Sequence, residues 1–100
     1  MSTIPTDHKP LSTLFEEMQA AASQVEIGAL YGHYKNPQAP YKVTGFVILE
    51  ATDEVAVLYE VQEAGAPRVT FARALSSWLE AIEWQGQTVP RFSKIQKTNE

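Results

Sequence analysis

The chain has 100 residues, one domain's worth, which is enough to bury a single core without covalent staples. Cysteine is absent, which removes disulfides, thiol nucleophiles, iron–sulfur clusters and zinc sites with sulfur ligands, and fits a reducing cytoplasm. Eight Lys and Arg against twelve Asp and Glu give a net charge of −4, which disfavours bulk nucleic acid as a partner.

Residues 1–9 mix Ser, Thr, Pro, Asp and His without periodicity and predict a frayed end. Met1 to Pro10 has no apolar core preceded by basic residues, and no run approaches the roughly 20 apolar residues that span a bilayer. Neither export nor membrane insertion is expected. From Leu11 the apolar positions Leu14, Phe15, Met18, Ala21, Ala22 and Val25 form a stripe of helical spacing, so the pattern predicts an α-helix over 10–25. Thr13 to Glu16 fits a capping box, and Pro10 fits a first helical position. A helix this short is marginal alone, so it is expected to pack as an accessory through Leu14, Phe15 and Met18. Gly28 stops it.

After Gly28 the period changes to two and Val, Ile, Tyr, Phe and Thr dominate, the residue types that fit a pleated surface. Leu30 to Tyr34 is the first expected strand, ended by a segment whose Pro37 and Pro40 are unsuited to a central ladder. Tyr41 to Leu49 and Val55 to Gln62 follow, joined by a polar hairpin loop over 50–54. In the third strand Val55, Val57, Tyr59 and Val61 share the more apolar face and should point to the core. Arg68 to Arg73 alternates as a fourth strand. The next residues, 74–79, read as one helical turn whose Leu75, Trp78 and Leu79 plug one end of the core. Ile82 to Trp84, a Gln85-Gly86 turn and Thr88 to Phe92 supply the last strand or hairpin. The fold class is therefore mainly β, a small barrel of about five strands with a helical turn before the last, spanning 26–95 between the helix and a tail at 96–100.

Gly28-Ala29-Leu30-Tyr31-Gly32-His33-Tyr34-Lys35 is followed in order by Tyr41-Lys42-Val43-Thr44-Gly45, by Glu54-Val55-Ala56-Val57-Leu58-Tyr59 and by Phe71-Ala72-Arg73. Leu75, Trp78-Leu79-Glu80 and a closing Val89-Pro90-Arg91-Phe92 complete the set. Over about residues 26–95 this arrangement resembles the bacterial family known as domain of unknown function sixteen fifty-three. The resemblance implies an SH3-like barrel and carries no activity. The chain departs from the usual family pattern at Gly32, where Arg is common, and at Ala74, where Pro is frequent. Gly32 leaves the first strand without a guanidinium to hold an anion.

His33 titrates near neutrality, but no Ser, Cys or carboxylate stands in a recognisable nucleophile or acid–base motif around it. A histidine bonded to a backbone carbonyl or a neighbouring carboxylate is the simpler reading. The glycines are scattered, no phosphate-binding loop is present, and no cofactor is implied. His8 lies in the expected frayed end, so one remaining imidazole is insufficient for a metal. Tyr31, Tyr34, Tyr41, Tyr59, Phe71 and Trp78 divide between core and an aromatic surface, with Lys35 and Arg73 beside it. The expected function is a non-catalytic binding module that docks a protein or peptide through His33, Tyr59 and Arg73. A pocket for a small ligand or modified nucleotide on the same barrel is the alternative.

Overall fold

The structure is a computed structural model and describes residues 8–95. The expectations for residues 1–7 and for the tail at 96–100 lie outside the described residues. In chain order the elements are α1 (Leu11–Ala22), β1 (Leu30–His33), β2 (Asn36–Leu49), β3 (Glu54–Val61), β4 (Thr70–Ala74), α2 (Leu75–Trp78), β5 (Ala81–Trp84), β6 (Gln87–Pro90) and β7 (Phe92–Lys94). The fold is mainly antiparallel β, with one helix at the amino-terminal side and a short one before the last strands, as the periodicity predicts. Among the described residues seven strands replace the expected five or so, because the last segment divides into a hairpin and a separate short strand.

Five strands form one sheet in the order β4-β3-β2-β1-β7, and β5 pairs only with β6. The β5–β6 turn lies at Gln85 and Gly86, whose φ values of 53° and 82° are those of a two-residue hairpin turn matching strand twist. Opposite residues of an antiparallel ladder share a face. Tyr31 stands opposite Tyr41, His33 opposite Phe92, Val43 opposite Tyr59, Val57 opposite Arg73 and Tyr59 opposite Phe71. One face therefore carries nearly every ring of the sheet. Its buried centre is Val25, Tyr31, Val43, Val57, Trp78 and Phe92, with Tyr41, Phe46, Tyr59 and Leu75 packed against it. The indole of Trp78 lies flat on Phe92, with centroids 3.8 Å apart and planes at 8°, and Tyr31 meets it edge-on at 5.5 Å. Leu79, expected beside Trp78 in the plug, instead remains 43% exposed because α2 ends at Trp78.

The prolines of the segment expected to end the first strand lie inside β2. Their accommodation is local: between Tyr31↔Tyr41 and His33↔Asn36 the register shifts, so residues 37–40 bulge opposite Gly32 and no ladder N–H is asked of either proline, while Pro40 O still accepts from Gln62 N–H at 3.0 Å. The bulge also accounts for Gly32, since a Cβ there would lie 2.8 Å from the Pro37 carbonyl oxygen.

At its amino end α1 is entered from Pro10, whose carbonyl accepts from Leu14 N–H at 3.1 Å. No side chain caps it, so the Thr13–Glu16 capping box is not formed. The helix closes with Val25 N–H donating to Ala21 O at 2.9 Å, three residues beyond its last regular turn. Leu14, Ala21 and Val25 are buried and Met18 is half-buried, whereas Phe15 is 60% exposed. The stripe is wider than the sheet surface it meets, and Phe15 falls outside. Residues 8 and 9, at the end of the segment expected to fray, meet the β2–β3 loop: His8 Nδ1 lies 2.5 Å from Asp53 Oδ1, and Lys9 N–H donates to Asp53 Oδ2 at 2.8 Å. Asp53 turns inward at φ 61° in the β2–β3 loop and latches the helix entry to that hairpin.

Candidate functional site

The three sequence candidates come from three strands and meet at one ring. His33 on β1 contacts Phe92 edge-on, with centroids 5.2 Å apart. Tyr59 on β3 reaches the same ring at 6.2 Å, and the Arg73 guanidinium carbon on β4 lies 5.4 Å from its centroid. Alternation explains the arrangement, since each of these residues shares the ring-bearing face with its ladder partner. Phe92 is the residue that sequence reasoning missed. A three-residue strand has no period to read, and only its return to β1 reveals the role.

Rings widen this floor. Tyr59 stacks on Phe71 at 5.7 Å and 29°, and Tyr41 lies 5.4 Å from Tyr59 and 5.7 Å from Phe92. Phe71 remains 45% exposed, which leaves an aromatic shelf open beside Arg73 on the same strand face. Of the other expected aromatics, Tyr31 and Trp78 are core, and Tyr34 turns to Trp84 of the β5–β6 hairpin at 5.0 Å.

Arg73 is half-buried, donates through Nη1 to Ser77 Oγ at 2.9 Å, and has a buried Nε with no partner among the described residues. Arg91 is committed differently: Nε donates to the Ser77 carbonyl at 2.9 Å and Nη2 to Glu80 at 2.8 Å. Lys35 is exposed, with Nζ 6.0 Å from the Tyr34 ring. Burial holds the His33 imidazole below its ordinary pKa of 6.5, and the positive charges of Arg73, Arg91 and Lys35 lower it further. The neutral ring accepts at Nδ1 from Lys35 N–H at 3.1 Å, so its backbone partner is a donor and not the carbonyl or carboxylate expected. The face thus combines stacked rings with local positive potential in an acidic chain.

Beside it lies a concavity of about 410 Å³, lined by His33, Tyr34, Pro37, Trp84 and Pro90 among others. Among the described residues no group of three His, Asp or Glu side chains is placed to hold a metal, and no helix is long and apolar enough to cross a membrane.

A crystal structure of a DUF1653 protein from Bordetella bronchiseptica is similar to this chain, with 28% identity and a TM-score of 0.60 over 77% of this chain and 96% of that one. No curated protein matches the chain. The family described as protein of unknown function (DUF1653) matches residues 29–94, from the approach to β1 through the end of β7, which takes in His33, Tyr59, Arg73 and Phe92. With two thirds of its length covered and the same fold in a solved relative, the chain belongs to the DUF1653 family.

Proposed function

We propose that the chain is a non-catalytic binding module on a small SH3-like barrel, docking a protein or peptide in a bacterial cytoplasm through the face formed by His33, Tyr59 and Arg73. The convergence of these three residues on Phe92, beside the exposed Phe71, is the observation that carries the reading. Aromatic rings flanked by arginine give large contact area at low ordering cost, the composition that dominates interface energetics. His33 gains no nucleophile or carboxylate partner among its described contacts, which supports binding over catalysis. Lack of cysteine agrees with a reducing compartment.

The test compares wild type with His33→Gln and Phe71→Ser for capture of endogenous partners, identified by mass spectrometry, alongside melting temperature. Both variants should lose the specific partner while keeping the fold. Normal capture by both would remove this face as the docking surface.

The cavity beside Tyr34 and Trp84 favours a second reading, a site for a small ligand or modified nucleotide. Its edge-to-face ring pair offers stacking walls, and Lys94 stands at its lining. Small molecules retained by the native protein, released by denaturation and lost in Trp84→Ala, would favour it over the peptide reading.

A further inference from the structure

The Arg73 guanidinium is a half-buried and only partly satisfied charge of the docking face. Arginine has five N–H donors in a planar fork that matches a carboxylate. Here Nη1 is held by Ser77 Oγ, Nε is buried without a partner among the described residues, and no carboxylate of those residues lies within ion-pair distance. Glu80, the acid that follows α2, is taken by Arg91. The buried Nε is closed to a ligand, whereas Nη2 is not among the buried atoms and makes no hydrogen bond to the described residues, so it is the edge an incoming anion can reach. Phe71 lies two positions from Arg73 on β4, roughly 7 Å along the strand, and offers a flat apolar surface stacked on Tyr59.

We infer that Arg73 anchors a carboxylate site, and that the partner is a peptide presenting a carboxylate next to an aromatic side chain. The inference rests on the reading of this face as the docking surface. The carboxylate pairs with the guanidinium and the aromatic side chain lies on Phe71 and Tyr59. Charge supports the choice: the groups facing His33 are Arg73 from β4, Arg91 from the β6–β7 junction, Lys35 from the β1–β2 turn and the phenol of Tyr34, with Glu80 already paired. Positive potential on one face of a chain of net charge −4 selects an acidic partner segment over a basic one. A single guanidinium fork with no glycine-rich backbone cradle suits a monoanionic carboxylate better than a phosphate.

The test follows the His33 imidazole proton by NMR, with His33→Gln distinguishing it from His8. N-acetylphenylalaninate, N-acetylphenylalaninamide and inorganic phosphate are titrated at equal ionic strength. The carboxylate should shift Phe71 and His33 resonances and raise the His33 pKa, because an anion at Arg73 offsets the charge that lowers it. The neutral amide should bind weaker by about tenfold, the scale of one charge-assisted hydrogen bond, and Arg73→Gln should remove that difference. Arg73→Lys keeps the charge without the fork, should bind the carboxylate more weakly than wild type, and serves if the glutamine variant does not fold. Equal binding of carboxylate and amide would overturn the carboxylate site while leaving the docking face. Phosphate acting as strongly as the carboxylate would overturn the peptide class. No shift at His33 or Phe71 with any probe would remove both the site and the docking face.

Discussion

The guanidinium carbon of Arg73 lies 5.4 Å from the centre of the Phe92 ring, and these residues belong to the two outermost strands of the five-stranded sheet. The sheet is curled enough for its edges to meet through side chains, although β4 and β7 are not ladder neighbours. Trp78 lies flat on Phe92 within that closure. The same ring is both the floor of the candidate site and a closing element of the core, so the site is held rigid by the packing beneath it.

Trp78→Ala is therefore expected to cost about 3 to 5 kcal/mol, a large share of a domain's stability. Chemical denaturation of the variant against wild type measures it. A loss below about 1 kcal/mol would mean that the residue, 2% exposed, is not packed as the structure has it.

His33 makes stability depend on pH near neutrality. Its folded-state pKa is lowered by burial first and by Arg73, Arg91 and Lys35 next, so between the folded and unfolded values the unfolded chain binds more protons. Stability is then full above about pH 6.5, the unfolded value, and falls as pH drops from there through the folded pKa. His33→Gln should flatten that limb of a stability–pH curve. An unchanged slope in the variant would assign it to another group.

Much of this face was legible in the alternation of single strands. Tyr31 with His33, and Val57 with Tyr59, fall on one side by the two-residue period, and the ladders preserve that grouping. What alternation could not show was the partner of a strand too short to have a period, so β7 and Phe92 became evident only through pairing with β1. Pro37 and Pro40 misled for a related reason: they are excluded from a regular ladder, but a bulge supplies an irregular one. The helical stripe gave the orientation of α1 but not the width of the surface awaiting it, which decides that Leu14 is covered and Phe15 is not. Asp53 was indistinguishable from other loop acids until Lys9 and His8 were seen to meet it.

The Asp53 latch carries an acid-side prediction. The Lys9 N–H bond and then the His8 contact hold its carboxyl below the usual carboxylate value. The contribution is therefore present above the unfolded pKa of about 3.9 and is lost as pH falls through the lower folded value. Asp53→Ala should release residues 8 and 9, increase amide exchange at Lys9 and Leu14, and weaken the acid dependence of unfolding. Unchanged exchange at Lys9 would show that the latch does not hold the helix entry in solution.

Gly32→Ala tests the close approach of β1 to the β2 bulge. The obstruction is backbone: a Cβ at this position would meet the Pro37 carbonyl oxygen at 2.8 Å and its Cα at 3.0 Å, and neither can rotate away as a side-chain tip would. Relief requires β1 and the bulge to separate, which strains the ladder on both sides of residue 32. The cost should be about 1 to 3 kcal/mol, the range for overpacking a tight contact. Separation also moves His33, the next residue, relative to Phe92, so the variant should perturb the His33 and Phe92 ring resonances as well as lowering the melting temperature. A fully stable Gly32→Ala protein with those resonances unchanged would mean that residue 32 and Pro37 are not in contact in solution.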